Sequence, residues 1–304
     1  MNPFPKGVEQ NAGEKKTCQQ VKTAKYKDLY FEAYGELINC QDAGVHTSFK
    51  RLAIALAAYQ KSDDVVPFDS PRDKALAADA NGKFPFDDND GGVRFTDEEN
   101  RGHDLFYGKA FCSVCHNGQP NVIEARAIDP DGTSKFQVYT DYKYHHIGVP
   151  FNRQIPGVNK KDKKGLADHV AGAAAAGTVG NGFFKTPTLR NVGKGLGGKG
   201  RGKNFTHNGY FKTLEGLVHF YNTRDQLQDC ATKIPNIADP TMDDALDNDC
   251  WPRPEFDNGL MAGAGTPPPG VPDFIGNLVL TDDDERDIAA YLKTLSDTTT
   301  ASAP

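Results

Sequence analysis

Two of the chain's six cysteines stand three positions apart and are followed at once by a histidine, in Cys112-Ser113-Val114-Cys115-His116. No other feature of the 304 residues constrains the fold as tightly. In a CxxCH, two thiols add across the two vinyl groups of one porphyrin, and the next side chain reaches the iron from one face. The motif therefore reads as an attachment site for one covalent haem c, with His116 as an axial ligand. A thioredoxin-like CxxC wants a strand before it and a helix after it; here a helix-forming stretch precedes and a polar Asn-Gly-Gln-Pro turn follows. A zinc site needs a second ligand pair at short spacing, and the remaining cysteines are isolated.

Those four, Cys18, Cys40, Cys230 and Cys250, form two local pairs separated by 22 and 20 positions. The expected disulfides are Cys18–Cys40 and Cys230–Cys250, each worth about 3 kcal/mol in loop-closure entropy, although four cysteines formally allow three pairings. Covalent haem and paired cysteines agree on a periplasmic or otherwise extracytoplasmic compartment. The first residues, MNPFPKGVEQ, contain no apolar segment of the secretory kind. The expectation is that the numbering starts at a mature form, a fragment or a late start. A formal charge of -6, from 35 basic and 41 acidic residues, argues against a nucleic-acid partner, which needs a basic face. No run of 18 apolar residues exists, so no membrane-spanning helix is expected.

Along the chain, residues 1–45 read as a polar arm with one helical stretch at Tyr26–Leu37. Phe49, Leu52, Leu56 and Tyr59 recur at helical steps and predict an amphipathic helix over Thr47–Gln60. Residues 62–95 read as a long loop whose DDNDGG run lacks EF-hand spacing. Thr96 with Glu99, and Thr281 with Asp284, match the capping-box pattern and predict two helix starts. Phe136–Tyr139 is a short β-prone run, and Thr213–Tyr221 a short helix. Gly193–Lys203 satisfies two phosphate-loop patterns, but no apolar strand precedes it and Asn204 stands where Ser or Thr is required. It reads as a basic loop suited to an acidic donor protein or a second chain.

Three further segments carry a resemblance. Tyr144-His145-His146-Ile147-Gly148-Val149-Pro150 is similar to the F-H-N-x-G-V-P segment of bacterial dihaem cytochrome c peroxidases and MauG proteins. Phe184-Lys185-Thr186-Pro187-Thr188-Leu189-Arg190-Asn191-Val192 resembles that family's F-K-T-P-[ST]-L-R-N-V signature. Thr206-His207-Asn208-Gly209 with Thr213-Leu214-Glu215 resembles its H-D-G…[ST]-L-E element. The family carries two haems, and the resemblance is to the second, electron-accepting domain. With a single CxxCH, the peroxide-binding haem domain is expected to be missing. Residues 1–45 then become the remnant of a connection to it, 46–298 the cytochrome-c-type haem domain, and 299–304 a disordered tail. The expected fold is mostly α, with long loops and little β.

The resemblance also implies site residues. The family's distal iron ligand, Met in the peroxidases and Tyr in MauG-like proteins, lies fourteen positions past the His of the H-D-G element. From His207 that count lands on Tyr221. Leu214, Leu217, Val218 and Tyr221 share a helix face, and the alternative is an ordinary core tyrosine. Arg190 holds a haem propionate or braces the backbone. His145 and His146 either adjoin the haem edge or bond within their loop. His207 reads as structural, and His46, His103 and His169 as surface or satisfied polar residues. Trp251 reads as packing rather than an electron relay. Asn208, where the family has Asp, and the long Gly193–Lys203 connection both argue against the family's calcium site. The implied function is haem c electron transfer within a MauG/cytochrome c peroxidase-like oxidoreductase. The chain would relay electrons between a small periplasmic donor (a cytochrome c or cupredoxin) or a substrate protein and a peroxidatic haem, on a second haem-bearing chain or a missing segment. The alternatives are a monohaem carrier subunit of a larger redox complex and a self-sufficient monohaem peroxidase.

Overall fold

The computed structural model describes residues 13–78, 95–116, 137–155, 164–168, 181–195, 203–256 and 275–298. They fall into two compact units, one ending at Pro67 and one spanning Phe68–Thr298. Both are mostly helical; the strands among the described residues all lie in the second unit and are two residues long.

The first unit holds α1 (Glu14–Thr23), α2 (Asp28–Tyr34) and α3 (Asp42–Gln60). The Cys18–Cys40 disulfide ties α1 to the segment before α3, and both cysteines are buried with Tyr30 and Ile38. Ser48 on α3 donates to the Asn39 carbonyl (2.9 Å) and accepts from the Asn39 N–H (3.1 Å), closing the same corner. Gly35, at φ +68, ends α2 in the left-handed conformation that glycine adopts freely. The polar arm thus contains two helices where one was expected. The boundary expected at residue 45 falls inside α3, and the compact units divide at residue 67. Of the α3 face, Phe49 is buried and Leu52 half-buried, but Leu56 and Tyr59 are exposed.

The second unit contains, in order, α4 (Pro71–Ala78), α5 (Asp97–Tyr107), β1 (Tyr144–His145), β2 (Phe184–Lys185), α6 (Leu214–Thr223), β3 (Gln228–Asp229), α7 (Cys230–Lys233), α8 (Met242–Asp247), β4 (Cys250–Trp251) and α9 (Asp282–Lys293). β1 and β2 pair antiparallel, with Tyr144 opposite Lys185; β3 and β4 pair parallel beside the Cys230–Cys250 disulfide. The capping boxes at α5 and α9 form as expected, Thr96 with Glu99 and Thr281 with Asp284. Thr241 and Asp244 form another at α8, and a fourth, between Ser70 and Asp73, starts α4 inside the stretch read as a loop. Its Ser-Pro-Arg-Asp sequence, with proline at the first helical position, was the available signal. Gln137–Tyr139 is not a strand, and Phe136 lies outside the described residues, as do His169, Met261, the DDNDGG run and the tail 299–304.

The core of this unit gathers Phe106, Phe211, Leu214, Phe220, Trp251, Ile288, Tyr291 and Leu295. Helices α5 and α9 cross so closely at Gly102 that a Cβ there would lie 1.9 Å from the Asp287 carbonyl oxygen. Helix α6 is locked to α9 through Glu285, which accepts from Asn222 Nδ2 at 2.6 Å and meets His219 Nδ1 at 3.0 Å. On its other side the Gly276 N–H donates to the Tyr221 carbonyl at 2.7 Å. No helix among the described residues is long and apolar enough to cross a membrane.

Candidate haem site

Helix α5 ends at Gly108 and hands the chain to a single 3-10 turn, Cys112–Val114. The Cys112 carbonyl accepts the N–H of Cys115 and, at 2.9 Å, that of His116, so the three motif residues wind round one point. Phe111 enters the turn at φ +53. Cys112 and Cys115 are half-buried and free, whereas the other four cysteines are paired. Burial pushes the Cys112 thiol up to about 12 and the Cys115 thiol up to about 11. A dithiol redox centre requires the opposite, a thiol whose pKa is pulled down.

His116 supplies the decisive contact. Its Nδ1 lies 3.0 Å from the Tyr139 carbonyl oxygen, to which it donates as the neutral tautomer. That leaves Nε2 as the lone-pair nitrogen, the atom an iron ligand must offer. Burial lowers the pKa of the imidazole and keeps it neutral. Tyr139 reaches this position at φ +51, an uncommon conformation for a bulky residue, and its ring is 1% exposed. The carbonyl is thus aimed by a strained, buried anchor. Sequence offered no signal for it, because Tyr139 and His116 approach only in the fold. Two thiols not joined to each other and a neutral imidazole with Nε2 available form the donor set that covalent haem c requires.

Tyr221 lies on α6, half-buried and packed against the same core as Cys112. Burial above all raises its phenol pKa, and the Cys115 and Cys112 sulfurs add to the rise, so the side chain lies within their electrostatic reach. Next to it His219 is turned to Glu285, as the helix period predicts.

Arg190 takes the bracing arrangement. It donates to Asp73 from NH1 (2.9 Å) and NH2 (2.5 Å), to Asp297 at 3.1 Å and to the Gln137 carbonyl at 2.9 Å. Both carboxylates are remote from Arg190 in sequence, and of the two roles expected for this side chain the contacts are those of bracing. His146 bonds within its surroundings, donating from Nε2 to the Phe256 carbonyl at 3.0 Å, and burial lowers its pKa to about 4. His145 Nε2 lies 2.7 Å from Asp141, whose N–H donates to the Cys115 carbonyl at 2.9 Å. His207 is structural: it stacks on Phe184 at 3.5 Å and meets Glu255 at 2.8 Å. His103 is 5% exposed and touches Asp104 at 3.1 Å; His46 meets Glu14 at 3.2 Å. Trp251, 2% exposed, donates to Thr223 Oγ1 at 3.0 Å. Asn208 donates to the Pro150 carbonyl and to Glu255 and accepts from the Tyr210 N–H, so its amide is engaged at both ends. The group of possible metal ligands among the described residues is Cys115, Asp141 and His145. It is not the oxygen cage calcium requires, and its sulfur belongs to the haem motif.

No protein-family profile matches the chain. It is 27% identical over 256 residues to the methylamine utilization protein MauG of Paracoccus denitrificans, covering 82% of this chain and 52% of that protein. It is 31% identical over 152 residues to the cytochrome-c peroxidase IdrP2 of a Pseudomonas species, covering 45% of this chain and 35% of that one. Among solved structures, the dihaem peroxidase BthA of Burkholderia thailandensis shares the fold with a TM-score of 0.58. That match covers 98% of this chain and 62% of BthA at 24% identity. The chain spans about half the length, or less, of the curated relatives it matches. In sequence the chain is similar to MauG and to a cytochrome-c peroxidase, and in fold to a dihaem peroxidase.

Proposed function

We propose that the Phe68–Thr298 unit is a monohaem c electron-transfer domain of a MauG/peroxidase-like oxidoreductase, working in the periplasm. Residues 1–45 would be the remnant of the connection to a first haem domain. The contact that carries the reading is His116 Nδ1 to the Tyr139 carbonyl, 3.0 Å, beside two unpaired cysteines in a chain whose other described cysteines are disulfides. When bound, the haem supplies a one-electron couple. The chain's residues set its surroundings. Cys112 and Cys115 anchor the ring covalently, His116 offers Nε2, and Tyr139 holds the imidazole's orientation and strengthens its donation. Tyr221 would be the second residue to hold the haem, and a phenolate ligand would favour the ferric state and a low potential. Its raised pKa means that the phenol ionises only against a compensating positive charge, which an iron centre provides.

The electron partners would be a small periplasmic donor or a substrate protein on one side, and a peroxidatic haem outside this domain on the other. The presence of one CxxCH keeps a second reading alive, that of a carrier subunit without peroxidase activity of its own. Steady-state turnover of hydrogen peroxide with a reduced cytochrome, using the haem-loaded chain alone, tests the assignment. Slow turnover is expected, because the domain offers both His116 and Tyr221 to hold the haem and carries a single CxxCH. Rapid turnover would move the peroxidase activity into this domain.

A further inference from the structure

Tyr221 stands in the last turn of α6, where a helix leaves carbonyls without partners of its own. The segment 275–280 supplies them. The Gly276 N–H donates to the Tyr221 carbonyl at 2.7 Å, the Leu278 N–H to the Asn222 carbonyl at 3.2 Å and the Leu280 N–H to Asn222 Oδ1 at 3.0 Å. In return, Asn222 Nδ2 donates to the Leu280 carbonyl and the Asp225 N–H to the Gly276 carbonyl, both at 3.0 Å. Gly276 permits the approach: it sits at φ +103, and a Cβ there would lie 2.4 Å from Asp225 Oδ2.

Arg224 completes the arrangement. It follows Tyr221 by three positions, which places the two residues on one side of the helix end, and it is 5% exposed. Its Nε and Nη2 donate to the two carboxylate oxygens of Asp225 at 2.8 and 2.6 Å. Nη2 also donates to the Ile275 carbonyl at 2.8 Å, and Nη1 to the Ile147 carbonyl at 3.0 Å. Ile147 belongs to the segment in which His145 meets Asp141, whose N–H donates to the Cys115 carbonyl. One guanidinium thus ties the end of the helix carrying Tyr221 to segment 275–280 and to the chain beside the CxxCH turn. All of its partners are protein atoms, so the clasp does not depend on the haem. A rigid fork serves three directions at once, whereas an ammonium is a point charge on a flexible stem. The same charge pulls the Tyr221 phenol pKa down, against the rise that burial imposes. We propose that Arg224 is a positioning residue for Tyr221, fixing the phenol where it holds the haem together with His116. The inference rests on the reading of Tyr221 as the second residue to hold the haem.

The test is the ferric absorption spectrum and the rate of cyanide binding of the haem-loaded full chain, in the wild type, Tyr221→Phe, Arg224→Gln and the double variant. Each single change should shift the spectrum toward high spin and speed cyanide binding. The double variant should match Tyr221→Phe alone, because residues that act through one another are not additive. Arg190→Ala is the control for a purely structural brace: it removes another buried guanidinium clasp and should keep the wild-type spectrum. Where Arg224→Gln does not fold, Arg224→Lys keeps the charge, loses the fork and should show the same shift in smaller measure. A wild-type spectrum in the folded Arg224 variants beside a shifted Tyr221→Phe overturns the positioning role and leaves Tyr221 in place as a ligand. Shifts that simply add in the double variant also overturn it, since Arg224 would then act elsewhere than through Tyr221. A wild-type spectrum in Tyr221→Phe overturns the reading of Tyr221, and the role of Arg224 falls with it.

Discussion

Arg190 and Asp73 lie 117 positions apart and meet through two parallel hydrogen bonds of 2.9 and 2.5 Å. Asp297 joins from the segment that follows α9, and the Arg190 guanidinium also stacks over Phe68 at 4.1 Å. Three chain segments are thereby clasped by one side chain, with Asp73 and Asp297 both buried. Removing one partner of such a cluster leaves uncompensated buried charge. Arg190→Ala should therefore lower the unfolding free energy by about 3–5 kcal/mol, measured by urea titration, while the ferric haem spectrum of the folded fraction stays as in the wild type. Unchanged stability with a shifted reduction potential would restore the propionate role.

Acid should destabilise the second unit through His146. In the folded state its pKa is near 4 because burial disfavours the charged ring; unfolded, it returns to about 6.5. Between those values the unfolded chain binds the proton that the folded chain refuses, so stability falls as pH drops from about 6.5 to 4. The slope contributed by this one group approaches about 1.4 kcal/mol per pH unit. His146→Asn should flatten the dependence in that window. An equally steep profile in the variant would assign the acid sensitivity elsewhere.

His219 has the opposite sign. Its hydrogen bond to Glu285 raises the folded pKa. The contribution is complete below about 6.5 and is lost as pH rises through the higher folded value. His219→Gln should remove that loss on the alkaline side, as read by thermal midpoints across neutral pH. It should also loosen α6, which Glu285 holds from Asn222 as well.

The Cys230–Cys250 bridge encloses a loop with Trp251 buried at its end. Replacing both cysteines by alanine should cost about 3 kcal/mol on the loop-closure estimate. Non-reducing peptide mapping should find the Cys18–Cys40 and Cys230–Cys250 pairs. Free thiols at these positions would remove the argument for an oxidising compartment.

What could be read from the sequence was local. The CxxCH, both disulfide pairs, the Thr96 and Thr281 capping boxes and the α6 face depend on residues within about two dozen positions of one another. Their chemistry is fixed by spacing alone. What escaped depends on distant approach. The Tyr139 carbonyl at His116, the Asp73 and Asp297 carboxylates at Arg190 and the Glu255 partner of His207 are set by packing, and no periodicity encodes them. Helix α4 is a different case: Ser70 and Asp73 carried a legible cap, but the surrounding Asp-, Pro- and Gly-rich composition masked it. The α3 face shows the limit of periodicity, since Leu56 and Tyr59 keep the helical spacing and still remain exposed.

Tyr221→Phe separates ligation from core filling, because the ring stays and only the oxygen goes. If the phenolate holds the iron, the ferric spectrum should shift toward high spin, cyanide should bind, and the reduction potential should rise. A spectrum and potential identical to the wild type would leave Tyr221 as a packing residue.

The intact mass of the denatured chain tests the central claim most directly. Purified from a host that matures c-type cytochromes, the wild type should carry the added mass of one haem through acid-acetone extraction. Cys112→Ala/Cys115→Ala should carry none. A chain that loses its haem to acid-acetone, or that holds two, would contradict the account.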